Sequence, residues 1–108
     1  MRLGAATKEV DVPGWVALLK WTEKGRDAIK DSPKRIKAGK ELAQRYGITP
    51  VGVWVLLGEY DLIFIGDAPN DEAVAAFSLA LSAQGNVTTH TMRALSEDEF
   101  QSVLQKLP

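Results

Sequence analysis

A chain of 108 residues with 45% apolar and 25% charged side chains has the size and make-up of one globular domain, with room for a single hydrophobic core. It contains no cysteine, which excludes disulfides, thiolate metal sites and cysteine nucleophiles. The net charge of -1 hides an asymmetry: residues 1–50 carry 11 Lys and Arg against 6 Asp and Glu, and residues 51–108 carry 2 against 8. The plain reading is a basic helix surface in one half and acidic helix ends in the other; a dipole that steers a charged partner is the alternative. The longest apolar run is far short of a membrane span, and Met1 to Gly14 lacks the apolar centre of a signal peptide, so no membrane association and a cytoplasmic location are expected.

Residues 1–13 show little periodic apolar content and end in Val12-Pro13, which predicts a loosely held extension followed by one domain over residues 14–108. Trp15 to Trp21 reads as a first strand, apolar on both faces apart from Lys20. Thr22 to Asp31 forms a short helical turn. Ser32-Pro33 then opens a helix, with Ser32 as N-cap and Pro33 at the first helical position. That helix runs to Tyr46, placing Ile36, Gly39, Leu42, Ala43 and Tyr46 on one face and Lys34, Lys37, Lys40, Glu41 and Arg45 on the other; Gly47 ends it.

Val51 to Leu57 and Leu62 to Ile65 flank Gly58-Glu59-Tyr60-Asp61, a hairpin signal in which glycine supplies positive φ and Asp61 hydrogen-bonds its own backbone. Neither run alternates apolar with polar, so both faces of the hairpin call for burial. Asn70 or Asp71 caps a second helix, with Val74, Phe77, Ala80 and Leu81 on one face, and Gly85-Asn86 closes it. Val87 to Ala94 is a fourth, more polar strand. Ser96 and Glu99 have capping-box spacing and open a last helix that carries Phe100, Val103, Leu104 and Leu107.

The order β α β β α β with a C-terminal helix is the ferredoxin-like arrangement, an α+β fold with an antiparallel sheet and both helices on one face. Helices on one face do not cover strands that are apolar on both. An uncovered apolar face exceeds what a monomer ordinarily exposes, and a second copy packed sheet to sheet, forming a two-fold dimer with a barrel-like interior, resolves the conflict. The C-terminal helix folding over part of that face is the other solution.

Several stretches together resemble the GYD-domain family: Leu19-Lys20-Trp21-Thr22 with Gly25, Ile29 and Lys30-Asp31-Ser32-Pro33; Leu57-Gly58-Glu59-Tyr60-Asp61; Ala68-Pro69-Asn70-Asp71-Glu72; Gly85-Asn86-Val87; and Thr91-Met92-Arg93-Ala94. The hallmark Gly-x-Tyr-Asp turn is matched by Gly58, Tyr60 and Asp61. The resemblance covers about Trp15 to Phe100 and implies a dimeric α+β barrel of ferredoxin-like type. It implies no reaction, cofactor or catalytic residue.

Strand one is expected between strands three and four, parallel to three and antiparallel to four, which gathers Tyr60, Asp61, Trp15 and Arg93 at one sheet edge. Arg93 there pairs with Asp61 or receives a ligand carboxylate or phosphate. His90, the single histidine, is a strand residue held by hydrogen bonds or a base lining a cavity. A lone histidine with distant carboxylates has no metal-ligand spacing, so no metal and no cofactor are expected. Trp21 and Trp54 are core or interface residues, or stack on a flat ligand. The basic helix invites nucleic acid, but no strand carries the basic-Gly-aromatic signature, and that reading is set aside.

Two functions from different classes remain. One is a small domain that homo-oligomerises through its sheet and binds a small molecule between protomers, with Tyr60, Asp61, Arg93, His90, Trp21 and Trp54 as candidate ligand residues. The other is a cofactor-independent enzyme of the dimeric α+β barrel type, a small monooxygenase or isomerase.

Overall fold

The computed structural model of the chain describes residues 14–108, so the predicted N-terminal extension lies outside the described residues. Strand β1 (Gly14–Trp21) leads into a short helix α1 (Glu23–Asp27), a 3-10 turn (Ile29–Asp31) and helix α2 (Ser32–Arg45). Strands β2 (Thr49–Val55) and β3 (Leu62–Asp67) form the hairpin, followed by helix α3 (Asp71–Ala83), strand β4 (Val87–Ala94) and helix α4 (Glu97–Leu104). The four strands make one sheet in the order β2-β3-β1-β4, the ferredoxin-like α+β arrangement.

Every neighbouring pair is antiparallel, including β1 with β3. This corrects the expectation that β1 runs parallel to β3. The crossover through α2 returns β2 in the direction of β1, and the hairpin then reverses β3. Leu19 therefore faces Leu62, and Trp15 faces Gly66. The end of β1, not its start, meets the start of β3.

Local chemistry sets the element ends. Thr22 caps α1 by accepting from the Gly25 N–H at 3.1 Å, and its hydroxyl donates to the Gly85 carbonyl at 2.6 Å. Helix α2 has no side-chain cap, contrary to the role expected of Ser32: the 3-10 turn runs straight into it and Ser32 is already helical. Gly47 at φ 79° ends α2, and the Ile48 N–H reaches back to the Ala43 carbonyl at 3.0 Å, the closure that a left-handed residue permits. Asn70 caps α3 through the Ala73 N–H. The capping box of Ser96 and Glu99 is complete at α4.

Helices α2 and α3 cover one face of the sheet. Ala43, Ile48, Ala68, Val74 and Phe77 form one buried cluster, and Ala17, Leu19, Leu62 and Val87 form another, with Phe64 and Leu81 packed against both. Burying Phe77 or Val74 contributes about 1.5–3 kcal/mol each. Gly25 is buried because α1 presses on the turn before β4: a Cβ there would stand 2.3 Å from the Asn86 carbonyl oxygen.

Among the described residues, no helix lies on the other face. Helix α4 does not cover it either; it buries none of its own residues and leaves Phe100, Val103, Leu104 and the following Leu107 exposed.

Candidate functional site

Cross-strand register identifies the residues of the uncovered face, since side chains directly opposite in an antiparallel pair share a face. Leu18 faces Ile63 on one side and His90 on the other, and Val16 faces Ile65 and Met92. Trp54 lies opposite Ile63. The indole of Trp54 lies over Gly52, where a Cβ would come within 2.4 Å of the ring. Trp54 and Met92 are exposed. The result is an apolar surface of Val16, Leu18, Trp54, Ile63, Ile65 and Met92 with one polar corner.

Tyr60 forms that corner. The loop before β3 is tied to the end of β1 by Asp61: its N–H donates to the Leu19 carbonyl and its Oδ2 accepts from the Trp21 N–H, both at 2.8 Å. The Asp61 carbonyl accepts from the Leu56 N–H at 2.8 Å, closing the hairpin. With the loop fixed, the Tyr60 ring reaches His90, centroids 5.9 Å apart at 65°. The Lys20 ammonium stands 5.2 Å from the centroid of the same ring and 3.9 Å from the Glu59 carboxylate. Gly58 at φ 137° supplies the backbone conformation the turn requires.

The candidate residues do not form one group. Tyr60 and His90 meet on the open face. Asp61 is adjacent in sequence but spends its carboxylate on the β1 backbone, not on its own turn. Arg93 lies at the opposite end of the sheet, paired with Trp15 in register. Trp15 and Trp21 are six residues apart on β1, roughly 20 Å, so Arg93 and Asp61 cannot pair. The expected gathering at one edge is thus replaced by two separate ends, a direct consequence of the antiparallel β1–β3 pairing. Arg93 donates instead to the Glu99 carboxylate at 3.0 Å, to the Gly14 carbonyl at 3.3 Å and to the Ala94 carbonyl, fastening α4 to the sheet. The Glu99 carboxyl is held below its ordinary value mainly by the Ser96 backbone N–H, aided by Arg93 and opposed by desolvation.

Trp21 and Trp54 lie on opposite faces of the sheet and cannot sandwich one ligand. Trp21 belongs to the helix side, with the Arg35 guanidinium 5.9 Å from its ring. Lys20 was missed as a site residue; alternation along β1 with Leu18 is the signal that puts it beside Tyr60. Arg35 and Asn86 were also missed. Arg35 Nη1 donates to the Asn86 side-chain oxygen at 3.1 Å, joining α2 to the turn before β4.

A cavity of about 80 Å³ lies between the helices and the sheet, with Leu19, Trp21, Phe64, Phe77 and Arg35 among its walls. Among the described residues no cluster of three or more His, Asp or Glu could hold a metal ion, and no helix is long and apolar enough to cross a membrane.

The sequence profile of the GYD domain matches residues 15–104. A Thermus thermophilus protein named "Glutamine synthetase and cystathionine beta-lyase binding protein" is 31% identical over 85 residues, which span 78% of this chain and 90% of that one. The fold resembles the Mycobacterium tuberculosis leucine response regulatory protein LrpA, with a TM-score of 0.58 and 13% identity over 78% of this chain. It also resembles MtbAldR, with a TM-score of 0.63 and 16% identity over 82% of this chain. The match takes in 51% and 57% of those two chains, about half their length, and at such identity the likeness is one of fold.

Proposed function

The chain belongs to the GYD-domain family, and on that footing we propose that it is a non-catalytic binding module that pairs with a second copy through its open sheet face and docks, as a pair, onto metabolic enzymes. The observation that carries this reading is the apolar face itself. Four strands at about 4.8 Å spacing and about seven residues at 3.3 Å make a surface of roughly 400 Å²; this does not exceed the largest patch of a monomer, contrary to the expectation from sequence, but a patch of that size is often a functional one. Helix α4 adds Phe100 and Leu104, and the residues after it add Leu107, to the exposed apolar surface among the described residues.

Docking onto enzymes is supported by the relative whose name records binding to glutamine synthetase and cystathionine β-lyase. Sedimentation of the full chain with glutamine synthetase or cystathionine β-lyase from its own organism tests the second half of the reading. Co-sedimentation of a dimer with either enzyme supports it, and independent sedimentation with both contradicts it.

A small ligand at the protomer boundary is the finer form of this proposal. Tyr60, His90 and Lys20 are the polar groups that would meet it, because they converge at one corner of the face that pairs. The enzyme reading, with His90, Tyr60, Asp61 and Arg93 lining a cavity, keeps only Tyr60 and His90, because the polar groups of Arg93 and Asp61 are engaged in holding the fold.

A further inference from the structure

We infer that helix α4 is the clasp of the pair, its apolar stripe seated on the second copy and its folding dependent on that contact. The inference rests on pairing through the open sheet face and says what completes it. Phe100, Val103 and Leu104, with Leu107 one turn further on, recur at the helical spacing i, i+3, i+4 and i+7 and form one stripe. All four are between 43% and 61% exposed.

The helix is anchored at one end. Ser96 and Glu99 close the capping box, and Arg93 holds the Glu99 carboxylate at 3.0 Å. Beyond that first turn the hydrogen bonds among the described residues stay within the helix and its final turn. The N–H groups of Gln105, Lys106 and Leu107 reach back to the carbonyls of Gln101, Val103 and Leu104, and the Ser102 hydroxyl donates to the Asp98 carbonyl. A helix of 8 residues is well short of the roughly 12–15 at which an isolated helix becomes even marginal, and it draws its stability from packing an apolar face. The described residues leave that face half open.

Area and continuity point to a second copy as the cover. A stable interface buries about 800 Å² per partner, and the open sheet face supplies roughly 400 Å². Sheet-to-sheet contact alone therefore stops near half of what a lasting pair requires. The surface that makes up the difference adjoins the open face: Leu95, Ser96 and Glu99 at the start of α4 share the walls of one hollow with Val16 and Ile65 of that face. Leu95 is exposed and carries the apolar surface from the sheet toward the stripe. A two-fold pair brings two such helices to one interface, each set against the other copy, so the contribution of each side chain counts twice.

The test is sedimentation equilibrium of full-length Leu104→Ser beside the natural sequence and Leu79→Ser, an exposed leucine on α3 across the sheet from the pairing face. Loss of one apolar side chain from each copy should raise the dissociation constant of the pair roughly ten- to hundred-fold, and Leu79→Ser should leave it within roughly three-fold. Hydrogen exchange at the amides of residues 101–104 gives a second readout: protection in the pair, and its loss on dilution to monomer or in Leu18→Asp. In a natural protein that pairs, undiminished association of Leu104→Ser, equal weakening by Leu79→Ser, or protection of those amides in a folded monomer overturns the inference and leaves pairing through the sheet standing. A natural protein that never pairs overturns both.

Discussion

The carboxylate of Asp61 accepts the backbone N–H of Trp21 at 2.8 Å, across 40 residues of sequence. One bond fixes the end of β1 to the turn before β3, and Tyr60, carried on that turn, is thereby set over the open face. Replacing Asp61 by Ala leaves the Trp21 N–H without its acceptor, a loss of about 1–3 kcal/mol and a drop of roughly 4–8 °C in melting temperature per kcal/mol. Asp61→Asn keeps an acceptor oxygen and should lose less. Thermal melts of the two variants, with the Tyr60 to His90 ring contact followed by NMR, check both the stability and the positioning.

Tyr60→Phe is expected to change stability by less than about 0.5 kcal/mol. The ring makes the contacts with His90 and Lys20, and both survive in phenylalanine. A denaturant melt showing a loss above 1 kcal/mol would give the hydroxyl a part in the fold and withdraw it from the proposed ligand corner.

Gly25→Ala should be among the most damaging single substitutions. Its Cβ would enter the Asn86 carbonyl at 2.3 Å, and that carbonyl also accepts the Thr22 N–H at 3.0 Å, so neither side can yield freely. Overpacking of this kind costs about 1–3 kcal/mol, readable as a shifted midpoint in urea at unchanged slope. Gly58→Ala meets no atom within 4 Å, and its penalty comes from φ 137° alone.

Glu99 gives the fold an acid limb. Its carboxyl titrates below the unfolded value because the Ser96 backbone N–H, Arg93 and the Ser96 hydroxyl favour the charged form. The stability it contributes is therefore present above the ordinary glutamate value near 4.5 and is lost as pH falls through the lower folded value. Helix α4 should fray in that window. In Glu99→Gln the α4 signal by circular dichroism should lose that pH dependence, while the amide retains a capping contact with Ser96.

Much of this was legible in the chain. The strand-helix order, the Gly47 closure and the Ser96–Glu99 box are local events whose causes lie within a few residues, and each appears as read, while of Asn70 and Asp71 the structure chooses Asn70 as the cap. The apolar character of Leu18, Ile63 and Ile65 on the face away from the helices was legible for the same reason. What failed needed pairing direction. Assigning β1 and β3 the wrong relative sense moved Tyr60 and Asp61 about 20 Å along the sheet to the side of Arg93. The Arg35 tether to Asn86 spans 51 residues and leaves no periodic trace in sequence. Ser32 is not a cap because the helical turn read over residues 22–31 ends in a 3-10 turn, Ile29–Asp31, that runs directly into α2, so that Ser32 is already helical.

The most direct test of the central claim is sedimentation equilibrium of the full chain at micromolar concentration, beside Leu18→Asp, which places a charge in the middle of the open face. Pairing through that face predicts a dimer or a multiple of it for the natural sequence and a folded monomer for the variant. A natural protein that sediments as a monomer, or a Leu18→Asp protein that remains as associated as the parent, would contradict it.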